Sequence, residues 1–336
     1  MQKFQNRIII DPKFFLSIEE LSKKNIDLSS NFEKFPLYSG EFLNEGSLSF
    51  NSIEVKNLSV EKGQKISNDY IIGAYDESIN KYNGLAGNAY LISHTYVYIG
   101  NKDYIPAIYL SFFFFSRSKE IAVNNTNLIY SKDLESEARK LMHIQMLEFL
   151  KENSIKNSIL LIDGPIFTGS LSTKTIDFNE YMVEKNILPI YIVKNSISNL
   201  VSDNVFSLKN KYNSDMHWAY KFLKPGQRSN FFIYEEKKSK RRTKVFCYLK
   251  TFDISPVRIE VYKNIYLGKQ ELVENLMHLI YFLIIVQGEK QNPQPRPIII
   301  AERFSRESIK LFNLNKLMRK IGIEGIMNQN RNMVNF

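Results

Sequence analysis

The chain has 336 residues, 44% of them hydrophobic, which is enough for a sizeable core and excludes wholesale disorder. Its formal charge of +10 suits a polyanionic partner such as nucleic acid without requiring one. A single cysteine, Cys247, excludes an intramolecular disulfide and a cysteine-built zinc site, and no apolar run is long enough to cross a bilayer.

In chain order, residues 1–66 mix polar and apolar positions with little regularity and read as an N-terminal appendage ahead of a folded unit over 67–336. The start, MQKFQNRIIIDPKFF, lacks a signal-peptide layout, so a soluble cytoplasmic protein is expected. The capping-box pattern Ser17-x-x-Glu20 predicts a short helix over Ser17–Lys23, and partial alternation over Leu48–Val60 predicts one or two strands. Three strands follow: DYIIGAYDESI (Asp69–Ile79), NAYLISHTYVYI (Asn88–Ile99) and YIPAIYLSFFFFS (Tyr104–Ser116). Their short polar or glycine-containing connections predict antiparallel pairing. His94 in the second strand reads as structural.

A helix over Lys132–Asn153 carries one apolar stripe and places Glu135 and Glu137 in its first turn. There, acids complement the helix dipole whether or not they do chemistry. SILLIDG (Ser158–Gly164) is a buried strand that ends on Asp163, at the strand end where open α/β sheets gather their chemistry. A helix near Asp177–Lys185 leads to the apolar strand Leu188–Val193, which ends on Lys194. A helix over Ser214–Leu223 and strands over Arg228–Glu235, Lys244–Thr251 and Val257–Tyr262 come next. Between the first two strands, EEKKSKRRTK holds six basic residues in ten, among them Lys240, Arg241, Arg242 and Lys244. That density suits phosphate contact as well as a solvated tip. An apolar helix over Lys269–Val286, a last buried strand RPIIIAER (Arg296–Arg303) ending on Glu302 and Arg303, and one or two helices over Ser305–Ile321 complete the pattern.

Antiparallel meander, helix, strand, helix, strand is the order of a ribonuclease H-like α/β fold, in which parallel βα units extend the meander and helices flank the sheet. Asp76, Glu135 or Glu137, and Asp163 occupy the three places from which that architecture supplies acids. Carboxylates so placed suit two magnesium or manganese ions about 4 Å apart, an arrangement that cleaves phosphodiesters. Lys194 is placed to neutralise charge on a scissile phosphate or to orient the attacking water. P-loop, GxGxxG, HExxH and GxSxG patterns are absent.

Five ordered blocks, IIGAYDES, LLIDGP, YIVKNS, LKPGQRSNFF and YLKTFDISPVRIEV, resemble those of the NurA nucleases, the DNA-end-processing partners of HerA-type ring ATPases. The resemblance spans roughly 70–336. It implies a ribonuclease H-like fold, a manganese- or magnesium-dependent nuclease acting on DNA, and a homodimer with a central channel. It implies Asp76 and Asp163 as metal ligands, with Glu137 preferred over Glu135 as the helix acid although Glu135 lies nearer the buried stripe. Lys194, Asp215, Arg228 and Arg258 match family positions, with supporting or DNA-contacting roles expected. Two departures stand out: Glu77 replaces a glycine of the family's first block, and Glu302 follows Ala301 where the family has histidine, with no tyrosine in the preceding PQPRP. Glu302 then stands as an oxygen ligand in place of the histidine, or marks weakened activity. The expected activity is a 5′-to-3′ exonuclease with single-strand endonuclease action, fed by a HerA-like hexameric ATPase in DNA repair by end resection, or in defence. The alternative is a catalytically weak DNA-clamping subunit of a translocase complex. An enzyme acting on RNA is a third possibility.

Overall fold

The computed structural model describes residues 46–50, 53–100, 103–119, 127–167, 171–205, 208–236 and 242–326. The helix expected at Ser17–Lys23 lies outside them. Strands β1 (Gly46–Ser49) and β2 (Val55–Asn57) precede helix α1 (Val60–Asp69), which Ser59 caps by accepting the Lys62 amide. Then β3 (Ile71–Asn83), β4 (Asn88–Gly100) and β5 (Asp103–Ser116) form the antiparallel meander that the short connections predict, and β6 (Leu128–Tyr130) pairs with β5.

Helix α2 (Leu134–Asn153) carries the chain across to β7 (Ser158–Asp163), which pairs parallel with β3. Helix α3 (Ser172–Glu184) leads to β8 (Ile187–Val193), parallel to β7. This is the ribonuclease H-like succession. Strand β7 is buried throughout except at Asp163, because strands covered on both sides read as unbroken apolar runs. Helix α4 (Asp215–Phe222), strands β9 (Gln227–Ser229), β10 (Phe232–Glu236), β11 (Thr243–Lys250) and β12 (Val257–Tyr262), and helices α5 (Lys263–Gly268), α6 (Gln270–Ile285), α7 (Arg296–Ile309) and α8 (Leu314–Lys320) follow. Among the described residues one sheet has the order β1-β10-β11-β12-β8-β7-β3-β4-β5-β6, with β9 pairing both β2 and β11. The single strand expected over Arg228–Glu235 breaks at Asn230, whose amide bonds to the Glu54 carbonyl and whose side chain donates to the Phe231 carbonyl, so β9 and β10 join β11 separately. No described helix is long and apolar enough to cross a membrane.

One sequence expectation is overturned. RPIIIAER is the first half of helix α7, not a strand. The run of β-branched residues suggests a strand, but its buried positions, Pro297, Ile298, Ala301, Ser305, Ser308 and Ile309, recur at helical spacing, and proline in the first turn suits a helix start. Ser305 and Ser308 are small enough to bring α7 close to the sheet. Their hydroxyls lie 2.8 Å from Ser78 Oγ and 2.6 Å from Ser93 Oγ.

Candidate active site at the end of the central strands

Register decides how the acids meet. Tyr75 pairs with Ile162 across the parallel β3–β7 ladder, so Asp76 and Asp163 are the next residues along neighbouring strands. Strand β7 ends there. Gly164 follows with φ of +111°, a conformation that favours glycine, and its amide still bonds to the Ile192 carbonyl of β8 at 2.9 Å. Lys194, just past the end of β8, places Nζ 2.5 Å from Asp163 Oδ2. Its other partner is the Gln294 side-chain oxygen at 2.8 Å.

Asp76 and Ser78 face α7, while Tyr75, Glu77 and His94 face α2, as alternation along a strand requires. Asp76 is 8% exposed, and Ser305 Oγ lies 3.4 Å from its Oδ2. Its pKa is pushed up from 3.8 to about 8, first by burial and then by the neighbouring Asp163 carboxylate; Glu302 adds to the rise and Lys194 opposes it. Glu302 therefore reaches this cluster from α7, with Arg306 one turn on as its ion-pair partner.

The helix acids are placed differently. Glu135 is exposed, bonds to Lys81 Nζ at 2.6 Å and has its pKa lowered by that lysine. Glu137 pairs with Lys140 at 3.2 Å. Both sit on the α2 side of the sheet. There Glu135, Glu77 and His143 share the wall of a cavity of about 600 Å³.

Glu77 is the acid that sequence reasoning passed over. Tyr75 Oη donates to its Oε2 at 2.7 Å and lies equally close to His94 Nδ1. Burial raises the Glu77 pKa, the Tyr75 hydrogen bond opposes that, and Asp163 adds to the rise. Its signal was the replacement of a glycine in the resembled family's first block. His94, fully buried, is held neutral by burial, with its pKa lowered to about 4. His143 has Thr175 Oγ1 2.8 Å from its Nε2.

A family model for the NurA domain matches residues 71–306. The chain belongs to the NurA family. No curated protein sequence matches it. Among solved structures, the chain is similar to the NurA nuclease from Sulfolobus solfataricus, with 14% identity, 82% of this chain and 88% of that one covered, and a TM-score of 0.49. It is also similar to a NurA with manganese (10% identity, 96% and 98% covered, TM-score 0.40) and to Ciona intestinalis endonuclease V in complex with inosine-containing DNA (15%, 76% and 95%, 0.37).

In this NurA domain three of the basic residues singled out from sequence are engaged by internal carboxylates, two of them buried. Arg228, 3% exposed, pairs with Glu274. Arg258, 4% exposed, places Nε 2.8 Å from Glu260 Oε1 and donates to Ser196 Oγ and Ser198 Oγ. Lys244 Nζ lies 2.6 Å from the same Glu260 oxygen. Their charges are met by Glu274 and Glu260 within the protein, and Lys244 alone of the three keeps a partly exposed side chain. Arg242 pairs with Glu236 at 3.1 Å, and Lys240 and Arg241 lie outside the described residues. Asp215, fully buried, accepts from the Val201 and Ser202 amides and from Tyr248 Oη.

Glu260 is the second residue the sequence reading passed over. Its Oε2 accepts the Ile166 amide at 2.9 Å, holding the segment that follows Asp163, while Arg258 holds Ser196 and Ser198 beyond Lys194. One buried ion network thus anchors both loops that leave the acid cluster.

Hard oxygen donors and a carboxyl whose ionisation is opposed by burial and by like charge fit a divalent cation, which relieves both. Among the described residues, no three His, Cys, Asp or Glu side chains are already gathered to hold a metal ion. Instead Lys194 and Arg306 supply the positive charge at Asp163 and Glu302.

Proposed function

We propose that this NurA-family chain is a divalent-metal-dependent DNA nuclease. The observation that carries the reading is Asp76, a buried carboxyl beside Asp163 and Glu302 at the open end of the parallel strands. Asp76, Asp163 and Glu302 are the residues that would hold manganese or magnesium, with Glu77 and the exposed Glu135 near at hand across the sheet. When bound, such ions lower the pKa of water and stabilise the leaving oxygen in phosphodiester hydrolysis. Lys194 pairs with Asp163 and presents a cation at the place where a scissile phosphate would lie, and Gln294 orients that ammonium. A 5′-to-3′ exonuclease with single-strand endonuclease action, acting on DNA ends as a homodimer with a HerA-like hexameric ATPase, is the form of the activity we infer from family membership.

A second reading is a catalytically weak DNA-clamping subunit. It is favoured by the internal neutralisation of Asp163 by Lys194 and of Glu302 by Arg306. Digestion of linear duplex and single-stranded DNA with manganese, with magnesium and with chelator separates the two. The nuclease reading expects metal-dependent loss of substrate by wild type and none above buffer by Asp163→Ala. If both proteins leave the DNA equally intact, the clamp reading stands.

A further inference from the structure

Beside the acid cluster, on the α7 side, lies a second cavity of about 380 Å³. Its walls include Lys194 and Glu302, so it opens directly onto the proposed site of cleavage. Amides dominate the rest of its polar lining: Asn195, Gln291, Asn292 and Gln294. Ile254 and Pro293 supply apolar surface between them.

The amides divide into a fixed floor and a free rim. Gln294 is 2% exposed; its oxygen accepts from Lys194 Nζ at 2.8 Å and its nitrogen donates to Asn292 Oδ1 at 2.7 Å. Asn195 and Gln291 are exposed at the mouth. A phosphate would meet a single cation here, Lys194, already engaged by Asp163 and Gln294. Uncharged carboxamides offer a donor and an acceptor side by side, the pattern that pairs with the edge of a nucleobase. Apolar walls suit the faces of the same ring, and the volume suits one unstacked nucleotide.

We propose that this cavity is a base-binding subsite for the single-stranded nucleotide adjoining the scissile phosphate, read by Asn195 and Gln291 over the Gln294 floor. The inference rests on the nuclease reading for its position relative to the cut, but it is tested by binding alone. A fluorescein-labelled oligodeoxyadenylate, and the same strand carrying abasic residues, are titrated with the full chain in chelator and followed by anisotropy. Wild type is expected to bind the abasic strand about tenfold more weakly. The rim variant Asn195→Ala/Gln291→Ala, altered only at exposed positions, is expected to bind both strands alike, close to the wild-type affinity for the abasic one. Equal binding of the two strands by wild type overturns the proposal, and so does a rim variant that keeps the preference. Tighter binding of oligoadenylate RNA than of its DNA counterpart overturns the assignment to DNA. Because no cleavage is involved, failure of the nuclease reading shows separately, as undigested DNA with manganese present.

Discussion

At the scale of single residues, the decisive quantity is the ionisation of Asp76. Its folded pKa of about 8 stands above the ordinary 3.8, so between those values the folded chain binds more protons than the unfolded one. Stability contributed by this group therefore falls as pH rises through that window, the reverse of the usual carboxylate. Each unit corresponds to about 1.4 kcal/mol, so near pH 8 the penalty is of the order of a few kcal/mol. Asp76→Asn removes it. The variant is expected to melt above wild type near pH 8, with the gain shrinking toward pH 4, while DNA digestion is lost. Manganese is expected to raise the wild-type melting temperature near pH 8 and to leave that of the variant nearly unchanged. Parallel melting curves for the two proteins across this range would remove the electrostatic account. Asp163 was legible because an apolar strand that stops on an acid is visible in one dimension, and Asp76 because it interrupts the apolar run IIGAY within β3. Glu77 and Glu260 were not, since their meaning lies in partners far along the chain: His94 on the next strand for one, the Ile166 amide for the other.

At the scale of elements, the meander strands and most of the helices follow from periodicity, and the miss at α7 is instructive. In α7 the run Ile298–Ile300 has the composition of a strand, but Ser305 and Ser308, polar residues on the buried face, carry the helical phase. A reading that counts only apolar residues loses the period there. The helix matters because it brings Glu302 to the cluster from above the sheet. The strands beneath depend on Glu260, whose pKa burial alone would raise but which Lys244 and Arg258 hold below its ordinary value. Glu260→Ala leaves two buried cations unmatched and frees the Ile166 amide, so a loss of about 3–5 kcal/mol is expected in denaturant unfolding. Glu260→Gln, which keeps an acceptor for that amide, is expected to lose less. Equal stability of the alanine variant and wild type would show the network to be dispensable. A close approach of α1 and α6 is equally specific: a Cβ on Gly63 would meet the His278 carbonyl oxygen at 2.2 Å and Phe282 Cβ at 2.5 Å. Gly63→Ala gains helix propensity but must push the helices apart, and a net loss of about 1–3 kcal/mol is expected in the same measurement. A variant as stable as wild type would mean that the helices separate freely.

At the scale of the whole molecule, the question is where the net charge of +10 acts. Much of the basic character noted in sequence is internal. Arg228, Arg258 and Lys244 serve Glu274 and Glu260, and burial lowers the Lys244 pKa against the pull of that glutamate. Charges already matched in the interior release no counterions when DNA binds, so they contribute little to its salt dependence. The residues left to do so within the basic stretch are Lys237, Lys238, Lys240 and Arg241, of which Lys240 and Arg241 make a test pair. If both contact phosphates, replacing the pair with alanine flattens the slope of log affinity against log salt by about 0.7 per contact on single-stranded DNA. Lys244→Gln, by contrast, is expected to lower the melting temperature and leave the slope as it was. Anisotropy titrations over a series of salt concentrations distinguish the two kinds of basic residue. An unchanged slope in the Lys240→Ala/Arg241→Ala variant would make that pair a bystander to DNA binding. A flattened slope in Lys244→Gln would mean that the buried ion network opens when DNA arrives.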